Sequence, residues 1–295
     1  MRIFLLSVFV VLSQLLIAQL PSTEIWLFRY DFSNGNYVFD KKGRNISNHP
    51  GYDNQPSFSS DGNYLLWSSQ RDSMGTDIFL FHLKNNTTTR FTQTAVSEYS
   101  PVYAPGDNFI SCVVVEEDST QRLYRYNKKT GVGKALVPAF TGVGYHCWFN
   151  PQIVYFFKIT EPSSLHRVDI KSCGAILCDT NIGRCMQVIQ LSDDEQMLLY
   201  TKMTASGRFI VARNIDGNLV SNFSIPVIED SQDFVIDRSG NILMAKETKL
   251  FKWSIGTSTT WTEVADFSES LHKITRLALS PDGCHLALVD NLPAE

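Results

Sequence analysis

The sequence lacks an excess of positive charge, and this narrows the possible partners. It contains 26 Lys and Arg against 30 Asp and Glu, which gives a formal net charge of −4 at pH 7. No basic stripe interrupts this mildly acidic composition. Because nucleic acids are held mainly through clustered Lys and Arg, the composition argues against nucleic acid as the main partner.

Long apolar runs are also scarce. The segment from Ile3 to Ile17 is apolar apart from three polar residues, and Arg2 precedes it. This pattern is typical of a secretory signal peptide, so we predict a signal over residues 1–18 with cleavage near Ala18. A retained membrane anchor is the alternative, although the run is short for a bilayer span. No later run approaches spanning length, and we expect a periplasmic or secreted monomer without a membrane span.

Motifs of catalysis and metal binding are missing. The sequence has no G-x-S-x-G nucleophile elbow and no H-E-x-x-H zinc motif, and its six histidines are scattered. The acidic segments Asp193–Glu195 and Glu116–Asp118 can hold Ca²⁺ only if backbone carbonyls converge on them, and solvated turns are the simpler interpretation. We therefore predict no catalytic residue, no metal ligand and no cofactor.

The six cysteines give no clear disulfide framework. Cys112 and Cys284 lie in or beside apolar strand patterns, where we expect small buried thiols. Cys173, Cys178 and Cys185 are clustered, but at spacings that do not suit zinc. A disulfide among these three, or between one of them and Cys147, remains open.

What the chain does contain is a repeated hairpin. In its clearest copy the polar turn Ser60-Asp61-Gly62 separates two short strand patterns, which is a strong local hairpin signal. The second turn residues of five copies are Gly62, Asp107, Glu195, Gly240 and Gly283. They are 45, 88, 45 and 43 residues apart, and Asn150-Pro151 lies where the long step lacks a turn. Six units of about 44 residues, built from strands alone, indicate a β-propeller with one four-stranded blade per unit.

The two ends of the chain indicate how the ring closes. Glu24 to Phe28 repeats the third-strand pattern of Asp77 to Phe81, and Asn36 to Phe39 follows as a fourth strand. Near the C-terminus, Leu286 to Val289 has the pattern of a second strand. We therefore predict an all-β, six-bladed β-propeller of antiparallel blades over residues 19–295. Its last blade combines two N-terminal and two C-terminal strands, which removes free sheet edges.

The repeats resemble a known family. The segment Gln55–Gly62 followed by Asp77–Leu80 resembles the TolB-like, or WD-like, propeller repeat, and Ser280–Gly283 gives its central S-P-D-G. Ser100–Pro105 matches it with the following Gly and Asp exchanged. The resemblance covers the propeller but not the separate N-terminal domain of TolB. It implies a six-bladed propeller exported to a bacterial periplasm or beyond.

Candidate ligand-binding residues follow from the repeat alignment. Propellers bind or react at a central funnel, where the loops that enter the innermost strands converge. The residues at these entrances are Asp53, Asn54, Glu98, Tyr99, Tyr145, His146, Gln187, Gln232, Asp233 and Arg276. Such a mixed set can hold a sugar or a peptide, while solvated loop ends are the plainer interpretation.

We therefore predict an exported, non-enzymatic propeller that acts as a binding platform for a protein or saccharide ligand. The alternative is an enzyme that acts on a sugar acid or polysaccharide at the funnel. Asp53, Glu98 and Asp233 are the candidate paired carboxylates for such chemistry.

Overall fold

The computed structural model describes residues 20–40, 42–72, 75–192 and 195–293. The predicted signal peptide lies outside these residues. Within the described residues the chain forms 25 β-strands and no helix, so none of its described segments is a helix able to span a membrane. The strands form six antiparallel sheets arranged as the blades of a propeller, which confirms the predicted fold class.

Five blades are each built from four consecutive strands. Blade 1 contains β4 (Asp53–Phe58), β5 (Tyr64–Asp72), β6 (Gly75–His82) and β7 (Thr87–Arg90). Blade 2 contains β8 (Ser97–Tyr103), β9 (Phe109–Val115), β10 (Gln121–Asn127) and β11 (Gly133–Ala135). Blade 3 contains β12 (Val143–Trp148), β13 (Ile153–Lys158), β14 (Ser164–Asp169) and β15 (Gly174–Thr180). Blade 4 contains β16 (Ile182–Ser192), β17 (Glu195–Thr204), β18 (Gly207–Arg213) and β19 (Leu219–Pro226). Blade 5 contains β20 (Phe234–Ile236), β21 (Asn241–Lys246), β22 (Lys249–Ser254) and β23 (Thr262–Asp266).

Blade 6 joins the two ends of the chain, as predicted. Its inner strands are β24 (Ile274–Leu279) and β25 (His285–Asn291), and its outer strands are β1 (Thr23–Ser33) and β2 (Asn36–Phe39). Strand β1 pairs antiparallel with β25 along seven residues, from Thr23 opposite Asn291 to Arg29 opposite His285. The N-terminal strand thus supplies the third strand that the C-terminal hairpin lacks.

The outer edge of blade 6 is split between two short strands. Strand β2 pairs only with the second half of β1, from Tyr30 to Ser33. An additional strand that the sequence did not suggest, β3 (Arg44–Asn45), pairs with Trp26 and Leu27 in its first half. Because β1 has 11 residues and β2 only four, the chain folds back a second time to cover the remaining edge.

The apolar core is divided into six clusters, each between two neighbouring blades. One pair of buried residues from each cluster shows this arrangement: Trp67 and Val289, Leu66 and Ile110, Val113 and Phe156, Tyr155 and Tyr200, Leu199 and Ile242, Leu243 and Phe28. Adjacent residues of a strand, such as Leu66 and Trp67, therefore lie in different clusters. Since side chains alternate across a sheet, each second strand is buried on both faces, which explains its continuous apolar sequence.

The turns between first and second strands follow the predicted pattern. Gly62 has φ of 70°, as expected for a residue that allows a left-handed conformation, and its amide donates to the Ser59 carbonyl over 3.0 Å. Asp61 Oδ1 accepts the Ser59 hydroxyl at 2.6 Å and the Asn63 amide at 3.0 Å. In blade 3 the predicted turn contains Asn150, whose side-chain oxygen accepts the Ile153 amide at 2.8 Å. Short polar side chains thus close these turns locally.

All six cysteines lie among the described residues and are free thiols. Cys112 is fully buried in β9, as expected. The expectation of a buried thiol at Cys284 is wrong, because this residue is exposed. It belongs to the turn closed by Asp282, whose Oδ1 accepts the Cys284 amide at 3.0 Å, so its backbone position is fixed by the turn while the thiol faces solvent.

The shared blade allows a test of ring closure. Phe28 lies on β1, is fully buried, and its ring centroid is 4.6 Å from that of Phe267 of blade 5. Phe28→Ala leaves a cavity where the N-terminal strand holds two blades together, and we expect a loss of about 3–5 kcal/mol in the free energy of unfolding. The control is Val38→Ala on β2, where the side chain is 64% exposed and little should change. Equal denaturant midpoints for the two variants would contradict the closure.

Candidate functional site

Two adjoining cavities lie along the axis of the ring. The mouth has a volume of about 420 Å³ and is bordered mainly by blades 5, 6 and 1. The channel has a volume of about 650 Å³ and is lined by the inner strands of all six blades. Both cavities are bordered by Arg184, Asp233, Arg276 and Leu277, which therefore lie at their junction. Cavities of roughly 300–1,000 Å³ are typical of small-molecule sites.

Four side chains from four blades meet at this junction, and we call them the arginine cluster: Tyr145, Arg184, Asp233 and Arg276. Arg184 donates from Nε to Asp233 Oδ1 at 3.1 Å and from Nη2 to Oδ2 at 2.5 Å. Arg276 Nη1 lies 3.7 Å from Asp233 Oδ2, and its Nη2 donates to the Tyr145 hydroxyl at 3.0 Å. The cluster thus joins blades 3, 4, 5 and 6 across the axis.

The arginine cluster carries a surplus of positive charge. It holds two guanidinium groups against one carboxylate, and Asp233 is the only acidic side chain among the described residues that line the channel. Burial lowers the pKa of Arg184, but the charge and hydrogen bonds of Asp233 outweigh this and raise the pKa overall. Arg184 therefore stays protonated, and a positive site persists inside a protein whose net charge is −4.

Three of these four side chains lie beside irregularities in the inner strands. The pairing of β12 with β13 shifts between Val143 and Tyr145, and that of β24 with β25 shifts between Ile274 and Arg276. In β16 the pairing is interrupted between Ile182 and Met186, the stretch that contains Arg184. A β-bulge bends its strand and re-aims the local side chains, and Tyr145, Arg184 and Arg276 border the channel at these points.

An aromatic wall flanks the mouth. The Tyr52 ring is buried and packs edge-on against Tyr99 with a centroid distance of 6.3 Å. Burial raises the pKa of Tyr52 above its usual range, so its hydroxyl remains neutral. Across the junction, the Arg276 Cζ atom lies 5.3 Å from the centroid of the Tyr145 ring, which fixes the plane of the guanidinium. Tyr52 thus borders the mouth and Tyr145 the channel, each close to the charged groups of the junction.

Seven of the ten predicted site residues line the two cavities. They are Asn54, Tyr145, His146, Gln187, Gln232, Asp233 and Arg276. Tyr99 reaches the wall only through Tyr52, and Asp53 and Glu98 do not border either cavity. Whether any of these residues binds a ligand stays a prediction.

Asp53 is buried between blades 6 and 1. It is fully buried, and its Oδ1 accepts from Trp67 Nε1 at 2.8 Å and from Arg71 Nη2 at 3.0 Å. Its backbone carbonyl accepts the hydroxyl of Thr23, the first residue of β1, at 2.9 Å. Burial raises the pKa of Asp53, although these partners oppose the shift. Asp53 therefore fastens blade 1 to the N-terminal strand and does not face a substrate.

Glu98 has the corresponding position between blades 1 and 2. It is fully buried and accepts the Thr94 hydroxyl at 2.6 Å and the Tyr126 hydroxyl at 3.1 Å. Burial raises its pKa to about 7, the Thr94 hydrogen bond lowers it, and the charge of Asp77 raises it further. Asp53, Glu98 and Asp233 therefore do not form the paired carboxylates that a glycosidic enzyme needs within one cavity.

His146 lies beside a serine but does not activate it. Its Nε2 is 2.8 Å from Ser111 Oγ, and burial lowers the pKa of His146 to about 3. Ser111 is fully buried and also accepts Trp148 Nε1 at 2.9 Å. Because the hydroxyl is inaccessible, this pair holds β9 to β12 and does not provide a nucleophile.

No group of three or more His, Cys, Asp or Glu side chains in the described part of the chain is arranged to hold a metal ion. Of the two acidic segments considered for Ca²⁺, Asp193 and Asp194 lie outside the described residues. In the other, Glu116 pairs with Arg122 and accepts the Tyr124 hydroxyl at 2.8 Å. Its carboxylate is therefore engaged within its own blade.

Sequence reasoning missed Arg184 and Tyr52. Arg184 is three positions before Gln187, the residue that the repeat alignment placed at the entrance of blade 4. Its one available signal was a lone charge in the otherwise uncharged run from Ile182 to Leu191. Tyr52 directly precedes the predicted pair Asp53 and Asn54, so the alignment came within one residue of it.

Comparisons with known proteins identify related folds. No family model and no curated relative matches the sequence. The structure is similar to that of a protein described as a putative TolB from Agrobacterium tumefaciens, with 13% identity and a TM-score of 0.67 over 93% of this chain and 99% of that one. The predicted resemblance to TolB-like propellers is therefore confirmed at the level of the fold.

Two further solved structures share the propeller. A gluconolactonase from Xanthomonas campestris is 12% identical, with a TM-score of 0.60 over 81% of this chain and 86% of that one. A chain of a nidogen/laminin complex is 9% identical, with a TM-score of 0.59 over 86% of this chain and 97% of that one. At these identities the similarity shows the fold alone.

The buried Glu98 predicts a pH-dependent stability. Its pKa is about 7 in the folded protein against an ordinary 4.5, so the folded state holds a proton that the unfolded state releases between these values. The resulting stabilisation is complete below pH 4.5 and is lost as pH rises through 7. In the wild type, this titration should lower the free energy of unfolding by on the order of 2–3 kcal/mol between pH 4.5 and 8. We expect this decrease to be absent in Glu98→Gln.

Urea denaturation at several pH values measures this difference. The control is Glu117→Gln, which changes an exposed glutamate near blade 2 and should reproduce the wild-type curve. Parallel pH profiles for wild type and Glu98→Gln would show that Glu98 titrates normally.

Proposed function

We propose that this protein is an exported, non-enzymatic β-propeller that binds a ligand in its axial funnel. The observation that supports this most is the arginine cluster, in which side chains from four blades converge at the junction of two open cavities. Such convergence of charged and aromatic groups in a cavity of suitable size is typical of recognition sites. The chain would act as a monomer, with its ligand a saccharide or a segment of another protein.

Among the described residues that line the channel, the arrangement does not resemble that of a catalyst. The one acidic side chain among these residues, Asp233, is held by Arg184, and Asp53 and Glu98, whose pKa values are raised, lie between blades. Ser111 is inaccessible. These arrangements favour binding without reaction. A shared fold with a chain of a nidogen/laminin complex is compatible with a platform for other proteins.

An enzyme that acts on a sugar acid or polysaccharide is the second candidate. The fold shared with a protein described as a gluconolactonase supports this candidate, because that name denotes an enzyme that acts on a sugar derivative. In this chain such chemistry would have to use Asp233 together with another titratable side chain that lines the channel, such as Tyr145.

A mouth-blocking variant tests the proposed function. Thr275 lies at the mouth, and Thr275→Trp fills space there. We expect a ligand from a panel of neutral sugars, uronates and short peptides to bind the wild type saturably in calorimetry, and Thr275→Trp to abolish that binding. Ser239→Trp, at a turn at the opposite end of β20, is the control and should bind normally.

Mass spectrometry of the ligand after incubation separates the two candidates. An unchanged ligand supports binding alone, and a product of altered mass would establish the enzyme. Absence of binding to any member of the panel, or equal binding by both tryptophan variants, would contradict the funnel as the site.

Export is a separate proposal supported by the N-terminal pattern of Arg2 and the apolar run from Ile3 to Ile17. Expression of the full chain in a bacterium should yield a protein in the periplasm or medium that lacks residues 1–18 or a segment of similar length. Intact-mass measurement checks this directly. A secreted protein that retains Met1, or a protein found only in membranes, would contradict cleavage.

A further inference from the structure

We propose that the ligand of the funnel carries a carboxylate group and that Arg276 is the residue that receives it. The inference rests on the proposed binding function and adds the chemical class of the ligand. It follows from a difference between the two arginines of the cluster.

Arg184 is already paired with a carboxylate of the protein itself. Its Nε contacts both oxygens of Asp233, at 3.1 and 3.2 Å, and its Nη2 contacts Oδ2 at 2.5 Å. The same Nη2 also reaches the Thr275 carbonyl at 3.4 Å. Its geometry is the fork-to-fork pairing that arginine forms with a carboxylate. Asp233 thus supplies Arg184 with a carboxylate partner within the chain.

Arg276 is only partly engaged. A guanidinium has five N–H donors. Among the described residues, Arg276 donates one hydrogen bond, to the Tyr145 hydroxyl, and stands 3.7 Å from Asp233 without a hydrogen bond to it. Donors of Arg276 therefore remain available to a group that enters the cavities it borders.

The position of Arg276 suits recognition. Its side chain is 14% exposed, so it is largely removed from water yet reachable from both cavities. Contact with the Tyr145 ring holds the guanidinium plane before any ligand arrives. Little side-chain entropy is then lost on binding, and a charge-assisted hydrogen bond is stronger in such a partly desolvated place.

The charge balance selects a monoanion. Two guanidinium groups share one carboxylate, which leaves one positive charge at the junction. A carboxylate supplies one negative charge and two coplanar acceptors that match one edge of the guanidinium. A phosphate dianion carries more negative charge than this single positive charge can neutralise, and Asp233 repels the excess. A carboxylate therefore fits better.

A carboxylate can come from a sugar acid or from the C-terminus of a peptide, and paired probes distinguish these sources. The first pair is digalacturonate and its methyl ester, and the second is a tripeptide with a free C-terminus and its amide. Inorganic phosphate is a fifth probe. Calorimetry with wild type should show that at least one acid binds ten-fold or more tightly than its neutral partner. The pair that shows this preference identifies the source of the carboxylate.

Variants of the arginine cluster give the decisive readout. Arg276→Gln should weaken binding of the acid by roughly ten- to hundred-fold, to the level of its neutral partner. Arg276→Lys keeps the charge without the fork and should be intermediate. Asp233→Asn removes the competing carboxylate and should tighten binding, an effect that a purely structural role of Asp233 would not produce. Arg238→Gln, at the opposite end of β20, is the control and should bind as wild type.

Each other outcome overturns the inference. Equal binding of acid and neutral partners at the funnel would show a ligand that does not need a carboxylate. Unchanged binding of the acid by Arg276→Gln with a wild-type melting temperature would show that Arg276 does not receive the ligand. Both outcomes leave the binding function intact. Tighter binding of phosphate than of any acid would show that the ligand class is a phosphate and not a carboxylate. If the wild type binds none of the acids, the carboxylate inference fails, and the mouth-blocking experiment decides the function separately.

Discussion

The structure depends on apolar packing between neighbouring blades. A single blade is a thin sheet with two apolar faces, and neither face is covered within the blade itself. The six clusters bury these faces in pairs, so every blade needs a neighbour on each side. Only a closed ring meets this condition, and the pairing of β1 with β25 closes it. This contact joins residues almost as far apart in sequence as the chain allows, so the fold is complete only when both ends are in place.

Closure of the ring also creates the site. The inner strands of six blades converge on one axis, and each of the two axial cavities is bordered by several blades. The arginine cluster draws on blades 3, 4, 5 and 6, and its ion pair between Arg184 and Asp233 lies across a blade boundary. Strand irregularities, which leave the packing faces intact, turn a few side chains toward the axis. Residues that pack between blades and residues that border the cavities therefore lie at different positions of the same inner strands.

Buried polar groups illustrate this division. Asp53, Glu98 and the pair of Ser111 and His146 are hydrogen-bonded inside the ring, where unpaired polar groups would be costly. Their shifted pKa values come from burial and do not mark a reactive centre. Arg276, in contrast, borders open space with donors to spare. Access to the cavity, and not a perturbed pKa, separates the proposed ligand-binding residues from the structural ones here.

The sequence by itself determined the repeat, the number of blades and the way the ring closes. Turn residues such as Asp61 and Gly62 act through hydrogen bonds and backbone angles within a few positions, so their pattern can be read locally. The spacing of the turns then fixed the architecture, and seven of the ten predicted funnel residues line the cavities.

The tertiary structure alone decided which inner-strand side chains face the axis. A residue beside a β-bulge can point into the channel or between two blades, and its type does not tell which. Asp53 and Glu98 therefore resembled funnel acids in the sequence but are buried between blades, and Arg184 was overlooked because an interrupted pairing lies between Ile182 and Met186. The charge balance of the junction depends on three blades meeting, which is a property of the closed ring and not of any single repeat.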